Sequence, residues 1–479
     1  MQFQKGQIIE LEIADAGEHE TCFGRLENGM GVFVSGALAV GDRVEAEIRK
    51  RKRNHLEAQL VRVVHPSPRR VQPPCPHFGL CGGCKWQHVQ YEEQLRVKRK
   101  IVSDALHRLG GFEAPPVEEV LPAQAPFGYR NKVDFTFGRR RFLPRAELEL
   151  PPEERVLPED YALGFHVPRR FQKVLDISSC LLASPEMNRV LEIVKRFGHE
   201  RGLLPYSTVT HDGDLRNLVI RRGEQTDELM VYLVTSRFEP DLMEALCRQL
   251  QEALGERLTT FVNGVTDRKN QVAFAEELHV IHGPGCIREK MGSFVFQISP
   301  NTFFQTNTRQ AERLVETAVA MAGLEAQDVV YDLYCGAGAI SLFLAQHAKK
   351  VLGIEAIPAA VADAGDNAAR NGIANCEYRV LDLRELGSIQ EDLEAFGLPR
   401  VVVTDPPRAG MHPKAVARMV ELGAERIVYV SCKPASLARD AALICAEGQY
   451  QLTRVQPVDM FPQTQHIESV ALLERAQRS

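Results

Sequence analysis

A cysteine that closes one apolar run (RIVYV, then Ser431-Cys432-Lys433-Pro434) and a carboxylate that opens another (Gln465-His466-Ile467-Glu468) are the residues best placed for covalent chemistry. A helix amino terminus starting at Pro434 would favour the thiolate of Cys432 over the thiol. A thiolate adding to carbon 6 of a uracil turns the ring into an enolate, and carbon 5 of that enolate can attack a sulfonium methyl group. A base must then take the carbon 5 proton so that the cysteine leaves by elimination; Glu468 is the candidate and His466 the alternative. Taken singly, Cys432 reads better as a buried structural thiol and Glu468 as a surface carboxylate. Together, at strand ends around a cofactor site, they favour chemistry.

The methyl donor is read from the other strand ends. Asp332-Leu-Tyr-Cys-Gly336-Ala-Gly338 follows an apolar strand and precedes a helix, so its glycines let the backbone approach a ligand. The next strand ends at Glu355, whose carboxylate can accept from both hydroxyls of a ribose. The turn is too short for a dinucleotide fingerprint and lacks the Lys-Ser/Thr of a P-loop. An adenosine-bearing ligand without a phosphate chain fits, and S-adenosylmethionine is the common one. Asp382 ends the third strand and could reach the adenine edge or simply cap the helix LREL. In Thr404-Asp405-Pro406-Pro407-Arg408 two prolines rigidify the turn and hold Asp405 over the site. Enzymes that methylate exocyclic amines typically follow DPP with an aromatic residue. Arg408 stands there instead, and its planar fork of donors suits a uracil carbonyl or a phosphate in RNA.

A second cluster, Cys75-x5-Cys81-x2-Cys84, supplies three ligands of one spacing, and Cys180 in LDISSCLL is the most plausible fourth. Zinc, an iron–sulfur cluster and a redox disulfide all remain open on spacing alone.

Three kinds of chain must position these groups. From Gln7 to Val64 short alternating runs (IIELEI, TCFGRL, GVFV, RVEAEIR, HLEAQLVRVV) separated by glycine turns predict a small five-stranded barrel, closed off by the proline-rich HPSPRRVQPPCP. Residues 127 to 290 mix strand-like segments with two helices and predict an α+β region. From about residue 305 strand and helix alternate with near-continuous apolar strands, the pattern of a doubly wound parallel sheet. The expected division is 1–66, 67–290 and 291–479.

Composition sets outer bounds. With 44% hydrophobic and 25% charged residues the chain reads as a folded globular protein. Its amino terminus lacks the order of a signal peptide and no stretch reaches the length of a membrane span, so the cytosol is the expected compartment, without a membrane partner. The eleven cysteines are then expected as thiols, ligands or nucleophile, not as a disulfide framework. A net charge of −5 speaks against a polyanionic partner, but residues 51–100 hold eleven Lys and Arg against three Glu, which is either a docking face for RNA or an ordinary solvated one.

PPCPHFGLCGGCKWQH, FGYRNKVDF, SPNTFFQTN, DLYCGAGAISL, TDPPRAG, YVSCKPASLARD and HIESV, in this order, resemble the bacterial RNA uracil-5-methyltransferases that carry a TRAM domain. The resemblance implies a TRAM barrel at residues 1–66 and a Rossmann-like class I methyltransferase sheet at the carboxyl end. It implies a [4Fe-4S] cluster on Cys75, Cys81, Cys84 and Cys180, cofactor contacts from Gln305, Tyr334, Glu355, Asp382 and Asp405, nucleophile Cys432 and base Glu468. The chain departs from the family at Ala339 and Lys433, where Asn is frequent; the second bears on how the substrate base is held. The fused barrel and cysteine cluster resemble the ribosomal RNA branch, so 23S ribosomal RNA is the expected substrate and transfer RNA the alternative, with no obligate protein partner evident. A noncatalytic RNA-binding protein with a relic sheet, and a cytosine-5-methyltransferase, are the competing readings. The Cys432, Glu468 and Asp405 set speaks against the first, and Ser431, where those enzymes place Pro, against the second.

Overall fold

The computed structural model describes residues 3–17, 21–155, 157–168 and 170–476. It divides into two compact units: Met1–Gln72 with Lys85–Gln124 and Arg309–Ser479, and Pro73–Cys84 with Ala125–Thr308.

In the first unit, strands Ile8–Ala16, Thr21–Arg25, Gly31–Ser35, Arg43–Arg51 and His55–His65 form a closed barrel. Their alternation puts Ile9, Leu11 and Ile13 on the inner face with Val32, Val34, Val44, Ile48 and Leu56. A side chain at Gly24 would stand 2.3 Å from the carbonyl oxygen of Glu12, so the close pairing of the first two strands requires glycine there.

The same unit holds a seven-stranded sheet of β1 (Val329–Leu333), β2 (Lys350–Glu355), β3 (Cys376–Val380), β4 (Val401–Thr404), β5 (Arg426–Ser431), β6 (Tyr450–Val458) and β7 (Glu468–Arg475), in the order β3-β2-β1-β4-β5-β7-β6. The first five are parallel and β7 runs antiparallel to both neighbours. Helices cover such a sheet on both faces, which is why VVYDL and RIVYV read as continuous apolar runs: Tyr331, Leu333, Val402, Ile427 and Tyr429 are all buried. Each such side chain contributes roughly 1.5–3 kcal/mol of burial. The chain leaves β1 for β2 and β3, then returns to β4 on the other side of β1. Ligands bind at that reversal, beyond the carboxyl ends of the strands.

Helix α1 (Tyr91–Arg108) buries Val102, Ala105 and Leu106 on this core and packs against α2 (Pro434–Cys445). The chain after α1 bridges to β6 at Val117–Val455 and Leu121–Val458. Residues 85–124 are thus part of the sheet unit although the cysteine loop before them is not.

The second unit is α+β. Its eight-stranded sheet runs from the edge strand Glu277–His282 through Leu258–Val265, Leu229–Thr235, Leu215–Arg222 and Lys132–Gly138 to the short strands around Ala162–Asp176, with helices Pro185–Glu200 and Pro240–Leu254 packed on it. No helix among the described residues is long and apolar enough to cross a membrane.

Candidate active site

The turn after β1 is built by three residues with positive φ: Tyr334 (59°), Gly336 (53°) and Gly338 (79°). A side chain at Gly338 would meet the Tyr378 hydroxyl at 2.8 Å, so glycine is required by space as well as by φ. Tyr334 holds the left-handed conformation as a bulky residue, a strain that clusters at ligand sites. The turn also serves the next strand end: Gly336 N–H donates to Glu355 Oε2 at 3.3 Å, and the N–H groups of Ala356 and Ile357 donate to Oε1 at 2.8 and 3.0 Å.

These residues border a cavity of about 230 Å³ lined by Tyr334, Glu355, Asp382, Arg384, Gly410 and His412. Asp382 does both things the sequence allowed. It lines the cavity and caps the short helix Leu383–Ile389 through Arg384 N–H at 2.9 Å, while Arg384 Nε reaches both its oxygens at 3.0 Å. The Arg384 side chain and N–H hold its carboxyl well down, to about 2.

Beside the reversal point two carboxyl groups are pushed the other way. Asp405 follows β4 next to the end of β1, its N–H donating to Leu333 O at 3.3 Å, and burial raises it to about 6. Asp332 is raised to about 7, by burial first and by the neighbouring Asp405 and Glu355 charges after it. Ser341 donates to its Oδ2 at 2.5 Å, but Oδ1 is buried with no hydrogen-bond partner. Asp332 belongs to the turn motif and no role is expected of it from sequence; its signal is an acid inside the otherwise apolar VVYDL.

A second cavity, of about 430 Å³, opens at the end of β5 and is lined by Cys432, Arg408, Lys433, Gln465, His466 and Ile467, with Ile101 of α1. Burial pushes the Cys432 thiol up to about 11, with the Glu468 and Asp405 charges adding to it and Arg408 opposing. The expected pull of the helix terminus toward thiolate is therefore overridden by burial and two carboxylates. Glu468, only 5% exposed, is pushed up to about 8 by burial and Asp405, again against Arg408. The charges of Asp405 and Arg408 thus act on both Cys432 and Glu468, and that of Glu468 on Cys432. Arg408 Nη2 also meets His466 Nδ1 at 3.2 Å.

The loop leading to this group is fixed from α1. Lys98 and Asp459, both fully buried, pair at 2.6 Å, and Lys98 Nζ donates further to Phe461 O at 3.1 Å. Gln94 and Gln463 exchange hydrogen bonds at 3.0 Å, and Gln463 holds a φ of 67°. The basic window of the sequence is accordingly not one open face. Lys98 is internal, Arg70 is paired with Asp42, and Arg62 with Glu45.

The remaining expected residues lie in the other unit. The backbone oxygen of Gln305 accepts from Asn131 Nδ2 at 2.8 Å. Cys75, Cys81 and Cys84 lie in a loop joined to the Cys180 segment where Ser178 N–H donates to His77 Nε2 at 3.2 Å. Cys180 is held by Asn188, whose Oδ1 accepts from its N–H at 2.7 Å. Among the described residues, however, no three His, Cys, Asp or Glu side chains are gathered closely enough to hold a metal ion. Cys81 and Cys180 pack against the apolar core of their unit, and the Cys75 charge acts on Cys180.

Residues 227–476 match the model of the family described as tRNA (Uracil-5-)-methyltransferase, and residues 2–61 match the TRAM domain. An uncharacterized RNA methyltransferase of Chlorobaculum tepidum is 51% identical over 477 residues, spanning 100% of this chain and 98% of its own. One from Porphyromonas gingivalis is 38% identical, over 97% of this chain and 99% of its own. Among solved structures, the tRNA (uracil-54, C5)-methyltransferase of Pyrococcus abyssi in complex with S-adenosyl-L-homocysteine superposes with a TM-score of 0.72 at 28% identity, covering 97% of this chain and 99% of its own.

Proposed function

Because the chain belongs to the tRNA (uracil-5-)-methyltransferase family, and so is an S-adenosylmethionine-dependent RNA (uracil-5-)-methyltransferase, we propose that it methylates carbon 5 of a uridine in transfer RNA, with Cys432 as nucleophile and Glu468 as base. The observation that carries this reading is the coupled group of Cys432, Glu468, Asp405 and Arg408 at one end of a sheet whose neighbouring cavity is lined by Tyr334, Glu355 and Asp382. Cys432 gives up its proton to solvent and its sulfur bonds to carbon 6, the ring electrons moving onto the carbonyl oxygen as the enolate. The enolate carbon 5 takes the methyl group, and the sulfonium becomes a neutral thioether. Glu468 removes the carbon 5 proton, the carbon–sulfur bond breaks, and thiolate and 5-methyluridine separate.

Transfer RNA displaces 23S ribosomal RNA as the favoured substrate for a specific reason. The ribosomal expectation rested on the fused barrel and cysteine loop, yet the Pyrococcus abyssi protein, named for a transfer RNA uridine, covers nearly all of this chain, barrel included. The barrel therefore does not separate the two substrates. Incubating the protein with methyl-labelled S-adenosylmethionine and unmodified transfer RNA should give labelled 5-methyluridine in the transfer RNA. Label confined to 23S fragments offered in parallel would overturn this reading.

The [4Fe-4S] reading of Cys75, Cys81, Cys84 and Cys180 is supported by their spacing and by donors that suit anionic sulfur. Gly83 N–H donates to Cys81 Sγ at 3.4 Å, and at Cys180, where burial pushes the thiol up, the N–H groups of Leu182 and Ala183 and the Arg130 charge oppose that rise. Anaerobically purified protein should carry about four irons per chain, and Cys180→Ser should lose them; iron-free protein would end the reading.

A further inference from the structure

The cavity at Cys432 has a floor and a rim of opposite character. The half-buried Cys432 forms the floor, and the buried carboxyl groups of Glu468 and Asp405 act on it. Arg408 and Lys433 line the rim, both exposed to solvent. Arg408 is engaged inward, its charge acting on Cys432 and Glu468 and its Nη2 meeting His466. Lys433 is not: among the described residues it has no carboxylate within ion-pair distance. Other cations of this unit do, Arg70 with Asp42, Arg400 with Asp328 and Lys100 with Asp15 and Asp104.

The backbone of Lys433 is pinned. Its N–H donates to Ser431 Oγ at 3.2 Å, and its carbonyl oxygen accepts from Ser431 Oγ at 3.1 Å and Ser436 Oγ at 2.9 Å. The ammonium therefore swings from a fixed point one residue beyond the nucleophile. A uridine whose base reaches the half-buried Cys432 is neutral inside the cavity but carries a phosphodiester on either side of its ribose, and these must lie at the rim. A compact, hydrated point charge on a flexible stem is the side chain suited to a phosphate, where Arg408 with its planar fork suits a carbonyl.

We propose that Lys433 forms a phosphodiester-binding site at the rim of this cavity, holding one of the two phosphates that flank the target uridine. The proposal rests on the reading that this cavity receives that uridine.

The probe is a synthetic transfer RNA T-arm hairpin, and methylation of it by the unaltered enzyme is measured first. No turnover there would count against the substrate reading, whereas failure of the phosphate site shows only in an enzyme that is active. Hairpin dissociation constants are then followed against sodium chloride for the unaltered protein, Lys433→Ala and Lys433→Arg. Lys433→Ala should bind about fivefold more weakly at low salt, and its slope of log Kd against log salt should fall by about 0.7–0.9, the release of one counterion. Lys433→Arg should restore both, which a loss of packing would not do. A neutral methylphosphonate placed 5′ or 3′ of the target uridine should, at one of the two positions, weaken the unaltered enzyme about fivefold and leave Lys433→Ala no weaker than before. An unchanged salt slope in Lys433→Ala, or losses that add fully at both positions, would overturn the proposal.

Discussion

The amino edge of the seven-stranded sheet and the buried centre of its carboxyl edge treat carboxylates in opposite ways, while the exposed Asp382, paired with Arg384 at the end of β3, behaves like the amino edge. At the amino edge Asp328, just before β1, accepts Arg400 Nε at 2.7 Å and Nη2 at 2.6 Å and the Glu325 N–H at 2.7 Å. Those partners outweigh its burial and hold it below the ordinary carboxylate range. At the carboxyl edge Asp332, in the same strand, keeps one oxygen buried without a partner, and Asp332, Asp405 and Glu468 are pushed up to about 7, 6 and 8. The difference lies in burial and cation together: Asp328 is less deeply enclosed and bonded to Arg400, whereas burial is the leading cause of the rise at Asp332, Asp405 and Glu468, and no cation is hydrogen-bonded to them among the described residues. A fold that places Arg400 against Asp328 leaves three acids at the opposite edge incompletely compensated. Such uncompensated groups lower stability and are characteristic of functional sites.

The largest effects should therefore come from the carboxyl edge and should be losses of chemistry with the fold intact. Cys432→Ala should lower methyl transfer by about 10⁴-fold or more while S-adenosylmethionine still binds, since the thiol acts only on the base. Binding is read by calorimetry and turnover by label transfer; appreciable turnover in Cys432→Ala removes it as nucleophile. Glu468→Gln keeps the shape of the side chain and removes the base, and should slow turnover by about 10²–10⁴-fold. Its distinguishing sign is a denaturant-resistant protein–RNA band carrying one labelled methyl per enzyme, absent when Cys432→Ala is added. Normal turnover in Glu468→Gln would pass the role of base to His466, which lines the same cavity.

Most of this edge was legible because strand ends are fixed by patterning. Once VVYDL, KVLGIE, VVVT and RIVYV are read as buried parallel strands, the residues after them must share one edge, and Tyr334, Glu355, Asp405 and Cys432 do. Three things were not legible. The state of Cys432 depends on burial and on two carboxylates distant in sequence, and these reversed the expected thiolate preference. Lys98 looks like one more charge in a basic window, and only tertiary packing turns it inward onto Asp459. The cysteine loop is tied down by loop hydrogen bonds, not by strand register, so spacing alone leaves open what its sulfurs hold.

The smallest effect divides the two edges by sign. The folded protein binds the Asp328 proton more weakly than the unfolded chain does, so this carboxylate contributes stability above the unfolded carboxyl range, near pH 4, and the contribution is lost as pH falls through its lowered folded value. Glu468 is the reverse. The folded protein keeps its proton up to about pH 8, whereas the unfolded chain releases it near pH 4. Across that window the folded state binds more protons, so stability falls as pH rises, and above it the full penalty remains. At pH 8, with no cofactor present, Asp328→Asn should therefore lower stability by about 1–2 kcal/mol, and Glu468→Gln, which cannot ionise, should raise it by about 1 kcal/mol. In a chain of this length the Glu468→Gln gain appears as a rise of roughly 2 °C in apparent Tm. It should shrink steadily as pH falls to 5 and vanish only below about pH 4, where the carboxyl is protonated in the folded protein and the unfolded chain alike. Calorimetric scans of both variants from pH 5 to pH 9 test this directly. A Glu468→Gln protein less stable than the parent at pH 8 would mean that the carboxylate is compensated after all, and that the two edges of the sheet do not differ in kind.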